Sequence, residues 1–403
     1  MKAVGVVVEY NPFHNGHFYH ISQSKSKTQA DVVIAVMSGQ FLQRGEPALV
    51  SKYHRTKMAL MNGVDLVIEL PYVYSTAHAT LFAEGAIQLL DAIGCKSFAF
   101  GSEEGSISPF LNTFDLIHKQ NEHYNSLIKQ YVTTGISYPQ SLFKAYEELR
   151  QKESAKTIDL SQPNNILGYH YIEAAKRLNL AIEPITIPRI QAGFHEDINP
   201  DSSIASATGI RKAIAENDSI ENIKQFVPQH TFNELESWME HYHTFISWEK
   251  FWPYLKYAIL RNTPQQLSQY ADVNEGIEFA LIKAAKRSNS FNELMNAIKS
   301  KRYTWTRLQR MVTHIYTGIT KEALHQFTNP TYIRLLGMSQ NGQAYLSQHK
   351  KEFSLPLISR VASTKDDAML SLDVHATDMY ALGVELATGQ KIATDYQTPP
   401  IRM

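Results

Sequence analysis

The sequence is short of cysteine and has no surplus of charge of either sign. Its single cysteine is Cys95, so an intramolecular disulfide framework is excluded, in agreement with a reducing compartment. The 39 basic and 39 acidic side chains cancel, so the net charge does not point to a nucleic acid or a membrane surface as a partner. Any nucleic-acid surface must therefore be a local patch.

Long apolar runs are also missing. No stretch is long and apolar enough to span a bilayer, and no early segment combines a basic start, an apolar core and a cleavage site. The expected location is therefore the cytoplasm, without a membrane partner. With 43% hydrophobic and 19% charged residues among 403, the chain has the composition of an ordinary folded protein and is long enough for two domains.

The strongest local feature is an apolar run near the amino terminus that leads into a pair of histidines. The run from Val4 to Val8 is typical of a strand buried on both faces of a parallel sheet. Asn11 and Pro12 end it, and the tetrapeptide HNGH, residues 14–17, follows where a helix is predicted to begin. Ligands of open α/β sheets bind at such carboxyl ends, and a helix N-terminus suits a phosphate. Two imidazoles one helical turn apart can donate hydrogen bonds to phosphoryl oxygens.

Two other interpretations of this histidine pair remain open from spacing alone. The rings can form a structural pair with satisfied hydrogen bonds, or half of a zinc site. A zinc site needs further ligands, and a chain with Cys95 as its only cysteine has no thiolate cluster to supply them. The preceding strand, the Asn-Pro turn and Gly16, which allows close approach of the backbone to a ligand, favour phosphate chemistry.

Strand and helix patterns alternate over roughly the first half of the chain. This alternation predicts an α/β fold with a doubly wound, Rossmann-like parallel sheet. The predicted strands are 4–8, 31–37, 64–70, 96–100 and 181–187, and the predicted helices include 16–27, 51–62, 76–92 and 164–179. A polar loop at 38–47 falls where the second strand ends, so Gln43, Arg44 and Glu46 could close over a ligand; the alternative is a plain surface loop.

Two later turns carry side chains suited to a nucleotide. Asn164, after Pro163, begins a predicted helix, and its amide can cap the backbone or bind a base or ribose. In the segment IASATGIR, Ser206 and Thr208 offer hydroxyl groups at another helix start, and Arg211 offers a guanidinium that can bind two phosphate oxygens. For both turns, simple helix capping is the alternative interpretation.

The pattern becomes entirely helical after about residue 217. We therefore predict two domains, a nucleotide-binding domain at 1–220 and a mainly helical domain at 221–403, with a loosely ordered tail at 397–403. The segment 299–316 contains no acidic residue. Read as a helix, it places Arg307, Arg310 and His314 on one face, free to meet a ligand, while Tyr303 and Trp305 could stack on an unpaired base. The alternative is a solvated basic face with aromatic residues in the core.

The string EYNPFHNGHFYH resembles the HxGH nucleotidyltransferase superfamily. Together with QPNNILG, SATGIR, RYTWTRLQR and YIRLLG, it is similar more narrowly to the bacterial tRNA(Met) cytidine acetate ligase family. This resemblance implies an enzyme in which acetate attacks the α-phosphate of ATP to give acetyl-adenylate and pyrophosphate. The acetyl group then passes to N4 of the wobble cytidine of elongator tRNA(Met), forming N4-acetylcytidine. Ala207 departs from the superfamily pattern, which usually has a serine there.

The resemblance also implies the site residues. His14 and His17 are the expected catalytic residues. The expected ATP-binding residues are Val7, Val8, Glu9, Tyr10, Asn11, Pro12, Phe13, His14, Asn15, Gly16, His17, Phe18, Tyr19, His20, Gly101, Asn164, Arg189, Ile190, Ser206, Thr208 and Arg211. The expected tRNA-binding residues are Lys301, Arg302, Arg307 and Arg310. Mg²⁺ is expected to accompany ATP because it offsets triphosphate charge, but the sequence has no dedicated metal motif.

Two other functions compete with this one. The first is a nucleotidyltransferase that adenylates a small phosphorylated cofactor precursor; the large helical region with its acid-free stretch argues against it, because such a substrate does not require an RNA surface. The second is a nucleotide-binding and RNA-binding protein without catalytic activity.

Overall fold

A mostly parallel sheet forms the centre of the fold. The computed structural model describes residues 1–189, 199, 202–217, 219–364 and 367–403. Within these residues the strands are β1 (Ala3–Val8), β2 (Val32–Ser38), β3 (Leu66–Leu70), β4 (Ser97–Ser102), β5 (Glu183–Pro188), β6 (Ile333–Met338), β7 (Leu357–Ile358) and β8 (Ile401–Arg402). Their order is β5-β4-β1-β2-β3-β6-β7, with β8 beside β6. The first five pair in parallel, as the alternation of elements predicts.

Helices cover the sheet and build the second half of the chain. The helices of the first half are α1 (Asn15–Thr28), α2 (Lys52–Met61), α3 (Tyr72–Ser75), α4 (Ala79–Ala92), α5 (Ser108–Lys119), α6 (Asn121–Thr133), α7 (Tyr138–Arg150), α8 (Pro163–Arg177) and α9 (Ala207–Asn217). Those that follow are α10 (Gln229–Tyr242), α11 (Trp248–Leu260), α12 (Pro264–Leu267), α13 (Ile277–Arg287), α14 (Phe291–Ile298), α15 (Trp305–Thr317), α16 (Lys321–His325), α17 (Gln340–His349) and α18 (Ala368–Thr388). Short 3₁₀ helices lie at Glu221–Phe226 and Val361–Ser363. The predicted fold class is confirmed.

The last part of the chain returns to the sheet, which the sequence pattern did not predict. Strand β6 pairs antiparallel with β3, and all six of its residues are buried. The expectation of a loosely ordered tail is wrong for Ile401 and Arg402, because their strand β8 pairs with β6. The boundary of the two domains near residue 220 stays a prediction, since the region after it supplies both helices and one edge of the sheet.

Buried ion pairs hold this returning segment in place. The ammonium nitrogen of Lys52 on α2 lies 2.7 Å from Glu69 Oε1 on β3 and 2.8 Å from Asp395 Oδ1 near the carboxyl terminus. Arg334 Nη2 on β6 lies 3.3 Å from the same Asp395 oxygen. All four side chains are at most 4% exposed, so each charge depends on its partners for stabilisation.

Among the described residues, no helix is long and apolar enough to cross a membrane.

Candidate active site

A cavity of about 450 Å³ lies at the carboxyl ends of the parallel strands. Its lining includes first-turn residues of four helices, namely Gly16 on α1, Ala79 on α4, Asn164 on α8 and Thr208 on α9. Each helix N-terminus carries unpaired N–H groups and a partial positive charge. The convergence of four of them on one cavity makes it a site for a polyanion such as a triphosphate.

His14 is the N-cap of α1, His17 lies in its first turn, and both line the cavity. His14 Nδ1 accepts a hydrogen bond from the Gly16 backbone N–H at 3.1 Å, and His17 Nδ1 accepts one from the His14 backbone N–H at 3.2 Å. The two rings stack with their centroids 3.7 Å apart. Because each Nδ1 acts as an acceptor, a neutral ring must carry its proton on Nε2. Both imidazoles are therefore fixed as Nε2–H donors.

The electrostatic environment keeps these histidines neutral. Burial, together with the nearby guanidinium groups of Arg189 and Arg211, lowers the pKa of His14 to about 3. Burial and the neighbouring His14 and His20 lower the pKa of His17 well below its ordinary value. Burial and Arg189 lower the pKa of His20 to about 4. A bound triphosphate would oppose these shifts, since its negative charge stabilises imidazolium.

Gly16 is required for space. A Cβ atom at this position would lie 2.9 Å from His14 Cε1 and 3.0 Å from its Nδ1. A side chain there would push the His14 ring away from the Gly16 backbone N–H, from which the ring accepts a hydrogen bond. The HxGH spacing thus encodes the stacked pair of rings directly, in addition to any close approach of the backbone to a ligand.

Helix α9 and the turn before it bring Arg211 and Ser206 to the cavity, with Arg211 in a fixed orientation. Arg211 Nη1 donates to the Asn11 carbonyl oxygen at 2.9 Å, and Nη2 lies 3.3 Å from Glu46 Oε2. Ser206 Oγ accepts from the Gly209 backbone N–H at 3.0 Å, so Ser206 does cap the helix, while its hydroxyl proton stays available to a ligand. Ser206 and Thr208 both line the cavity.

Asn164 and Arg189 form the opposite wall, beside β4 and β5. Arg189 Nη1 donates to Asn164 Oδ1 at 3.2 Å, and Asn164 Nδ2 donates to Glu103 Oε1 at 2.6 Å. Gly101 completes this wall, and a Cβ atom at this position would lie 3.5 Å from Arg189 Cγ. The neighbouring Asn165 does not cap α8 but holds the loop after β4, because its Oδ1 accepts a hydrogen bond from the Glu103 backbone N–H at 3.2 Å.

Most of the predicted ATP-site residues line this cavity, but four do not. Phe13 is fully buried beneath Tyr10 and His17, and Pro12 is also absent from the lining. Asn15 Nδ2 donates to the carbonyl oxygens of Ser203 and Gln225, and Phe18 is 49% exposed. Pro12 and Phe13 precede α1, whereas Asn15 and Phe18 lie on it and point away from the cavity because helical geometry turns successive side chains in different directions. Ile190, predicted as part of the site, lies outside the described residues.

The structure also adds residues that the sequence pattern did not mark. The cavity is also lined by apolar and aromatic residues, which form what we call its floor: Leu42, Ala79, Phe82, Phe100, Ile166, Leu167 and Tyr171. Apolar residues on helices and strands have the same spacing whether they line a cavity or fill a core, so no local signal distinguishes them. Gln43, Arg44 and Glu46 line the cavity as the loop position predicted.

The loop at 38–47 is clamped between the cavity and α15. The Gly45 carbonyl oxygen accepts hydrogen bonds from Trp248 Nε1 at 2.7 Å and from Thr313 Oγ1 at 3.0 Å. Gly45 has a φ of 75°, and a Cβ atom there would lie 2.2 Å from the Arg310 backbone nitrogen. Only glycine fits this contact. The loop therefore meets the helical region at Gly45 and lines the cavity with its neighbouring residues.

The expectation of a free basic face on α15 is wrong for Arg310 and His314. The Arg310 side chain is 10% exposed, and its Nε lies 3.5 Å from Asp272 Oδ2. His314 is buried, and its Nδ1 shares a hydrogen bond with the Tyr72 hydroxyl at 2.9 Å. The guanidinium of Arg307 lies over the ring of the buried Tyr303, 4.7 Å from its centroid. The acid-free segment meets carboxylates from other parts of the chain, which its own sequence cannot reveal.

Three other basic side chains of this segment are accessible. Lys301 and Arg302 are exposed, and Arg307 is half-buried. Arg302 Nη1 lies 3.5 Å from Glu275 Oε2, but both side chains are about half exposed or more, so solvent weakens this pair. These three residues form a basic edge at the start of α15.

Comparisons with known proteins place the chain in a family. A model of the family described as HIGH Nucleotidyl Transferase matches residues 1–395. The tRNA(Met) cytidine acetate ligase of Lysinibacillus sphaericus is 62% identical over 403 residues, covering 100% of each chain. The tRNA(Met) cytidine acetate ligase of Anoxybacillus flavithermus is 44% identical over 407 residues, again covering 100% of each chain.

Solved structures agree over the whole length. The crystal structure of Thermotoga maritima TmcAL in its apo form I has a TM-score of 0.92 and 29% identity, covering 100% of both chains. The form II structure of the same protein bound with alpha-thio ATP has a TM-score of 0.90 and 30% identity, covering 100% of this chain and 99% of the other. Sequence and architecture thus agree, and the chain belongs to the tRNA(Met) cytidine acetate ligase family of the HIGH nucleotidyl transferases.

Proposed function

We propose that this chain is an ATP-dependent ligase that makes acetyl-adenylate and transfers the acetyl group to N4 of the wobble cytidine of elongator tRNA(Met), giving N4-acetylcytidine. The observation that carries this proposal is the pair of neutral, oriented imidazoles of His14 and His17 in a cavity where four helix N-termini converge. Such a site is suited to a triphosphate whose α-phosphate gains charge during attack.

Acetate needs no general base in the first step. It is already ionised at neutral pH, so one of its oxygens attacks the α-phosphate directly while pyrophosphate leaves. Catalysis then consists of positioning and charge stabilisation. We assign the Nε2–H groups of His14 and His17 to the α-phosphate and to the bridging oxygen of the leaving pyrophosphate. Each ring is positioned by a backbone N–H, so neither has to reorient during the reaction.

The two walls of the cavity bind different parts of ATP in this proposal. Arg211, together with the hydroxyl groups of Ser206 and Thr208, takes the outer phosphates, because a planar guanidinium matches phosphate oxygens. Gly101, Asn164 and Arg189 line the nucleoside side. Mg²⁺ would be bound by the triphosphate itself with retained waters. Within the described part of the chain, no group of three or more His, Cys, Asp or Glu side chains could hold a metal ion.

The basic edge formed by Lys301, Arg302 and Arg307 is the proposed contact with the tRNA backbone. Cationic side chains there replace counterions of the phosphates, which provides affinity without reading the sequence. Arg310 is left out of this surface because Asp272 pairs with it in a buried environment. Recognition of the anticodon is then left to contacts with unpaired bases.

A two-stage assay tests the proposed function. Incubation with ATP and radiolabelled acetate should yield acetyl-adenylate on thin-layer chromatography, and addition of total tRNA should yield N4-acetylcytidine in nucleoside mass spectrometry. His17→Ala is the matched control and should form both products far more slowly. Adenylation of a phosphorylated cofactor precursor in place of acetate would instead identify a nucleotidyltransferase. Binding of ATP and tRNA with no product under any condition would identify a non-catalytic protein.

A further inference from the structure

Glu9 is held at the edge of the cavity with one carboxylate oxygen engaged. It directly follows β1 and lines the cavity. Its Oε1 accepts a hydrogen bond from the Gln43 backbone N–H at 2.8 Å, and its backbone carbonyl oxygen accepts one from Arg55 Nη1 at 2.7 Å. No described residue donates a hydrogen bond to Oε2. The carboxylate is therefore fixed in orientation while one oxygen stays available to a ligand.

The position of Glu9 associates it with the second substrate. Strand β1 lies between β4 and β2, and the proposed nucleoside wall belongs to the β4 and β5 side. Gln43, which orients the Glu9 carboxylate, belongs to the loop on the β2 side. Glu46 in the same loop contacts α15 through Gln309, and α15 carries the proposed basic edge at its start. A nucleotide base brought in by the RNA would thus approach the cavity from the side of Glu9.

Among the described residues that line the cavity, the three histidines and the other carboxylate, Glu46, are poorly suited to accept a proton. Nδ1 of both His14 and His17 is occupied by a backbone N–H, and the lowered pKa values of both rings make them weak bases. Glu46 is engaged by Arg211 at one oxygen and by Gln309 at the other. Burial also lowers the pKa of His20 to about 4.

Burial leaves Glu9 a better base than an ordinary carboxylate, in spite of the cations that face it. Burial and the carboxylate of Glu46 raise the pKa of Glu9, while the Gln43 N–H and the guanidinium groups of Arg44 and Arg211 oppose the increase. Arg55 also lies close enough for mutual attraction. The net direction is upward, which favours proton acceptance near neutral pH.

We propose that Glu9 is the general base of the acetyl-transfer step. This role rests on the proposed function. The cytidine N4 lone pair is delocalised into the base, so its attack on the acetyl carbon is weak unless a proton is removed. In the step, the N4–C bond forms, the bond between the acetyl carbon and the AMP phosphate oxygen breaks, and AMP leaves with that electron pair. The proton of N4 passes to Glu9 Oε2, so charge and atoms balance.

Measurement of the two half-reactions separates this role from others. In single-turnover reactions with acetyl-adenylate and elongator tRNA(Met), Glu9→Gln should slow transfer by about 100-fold or more, the typical contribution of a general base. Acetyl-adenylate formation from ATP and acetate should fall by less than about tenfold, since ionised acetate needs no base. The wild-type transfer rate should rise with pH to a plateau, and Glu9→Gln should lose this rise. Glu9→Asp, which keeps the carboxylate but shortens its reach, should retain part of the rate and the pH dependence.

Other outcomes contradict the role of Glu9. Equal losses in both half-reactions, or a defect corrected by excess Mg²⁺, would make it part of the ATP site instead. Unchanged transfer by Glu9→Gln would exclude it as the base, as would a rise with pH that disappears in His20→Asn but persists in Glu9→Gln. A wild-type protein that forms no acetyl-adenylate would overturn the proposed function and this role together. A wild-type protein that transfers the acetyl group, with Glu9→Gln transferring it at the same rate, would overturn this role alone.

Discussion

The Glu46 carboxylate lies 3.3 Å from the Arg211 guanidinium in the wall of the cavity. Its other oxygen accepts a hydrogen bond from Gln309 on α15 at 3.4 Å. Arg211 is thereby held between the Asn11 carbonyl oxygen and a loop that is itself clamped by the helical region. The orientation of a proposed phosphate ligand thus depends on residues from three distant parts of the chain.

The first prediction concerns this orientation. Arg211→Lys keeps the positive charge but cannot bond to Asn11, Glu46 and a phosphate with the same planar geometry. We expect the dissociation constant for ATP to increase by about tenfold, the effect of one hydrogen bond to a charged group. Isothermal titration calorimetry measures this directly. An unchanged affinity would show that Arg211 does not contact the phosphates.

The second prediction concerns the oriented imidazoles. Removal of the Nε2–H donor in His17→Ala should slow acetyl-adenylate formation by about 100-fold to 1,000-fold, as for loss of one donor to a developing charge. Affinity for tRNA should change little, because the proposed RNA surface lies on α15. Pyrophosphate release and filter binding report the two properties. Adenylate formation at the wild-type rate would contradict the assigned role.

The third prediction concerns the basic edge. Replacement of Lys301, Arg302 and Arg307 by Gln should weaken tRNA binding and reduce its salt dependence. The slope of log K against log salt concentration should fall in magnitude by about 0.7–0.9 for each phosphate that is no longer neutralised. Arg310→Gln is the contrasting variant. Because Asp272 pairs with Arg310 in a buried position, we expect this variant to lower thermal stability more than RNA affinity. The reverse pattern would restore Arg310 to the RNA surface.

The fourth prediction concerns pH and the buried His314. Burial and the nearby Arg310 lower its pKa to about 4, whereas Asp272 acts in the opposite direction. An unfolded histidine binds its proton near pH 6.5, so the unfolded state binds more protons below that pH and stability falls as the pH is lowered. Relative to His314→Gln, the wild-type free energy of unfolding should fall by up to about 1.4 kcal/mol per pH unit between pH 6.5 and 4. Urea unfolding at several pH values tests this; a constant difference would contradict it.

The fifth prediction concerns the buried ion pairs that hold the carboxyl-terminal segment. Lys52→Met leaves Glu69 and Asp395 buried without their shared cation, and we expect a loss of about 3–5 kcal/mol in the free energy of unfolding. Lys57→Met on the same helix is the control, since Lys57 is 41% exposed at its 3.8 Å pair with Glu234. A surface pair of this kind contributes about 0–1 kcal/mol. Equal effects of the two variants in urea unfolding would contradict a special role for the buried cluster.

Local sequence information accounts for the features that depend on neighbouring residues. The valine run predicts β1, the HNGH tetrapeptide predicts the start of α1, and Ser51 predicts the cap of α2. The Ser51 side chain accepts a hydrogen bond from the His54 backbone N–H of that helix. The same information failed on α15. Its helical pattern was clear, but whether Arg310 faces solvent depends on Asp272, which lies in another segment. The sequence also did not predict that residues such as Phe82 and Tyr171 line the floor of the cavity.

The sequence by itself determined the alternating sheet and helix order, the position of the histidine pair and the family resemblance, because these depend on hydrophobic periodicity and on motifs of a few residues. Only the tertiary structure decided which basic residues stay accessible, how the tail joins the sheet, and that the Glu9 carboxylate is held by the backbone N–H of Gln43. These properties arise from contacts between residues far apart in the chain, and no local pattern specifies which distant partner will neutralise a charge or cover a strand.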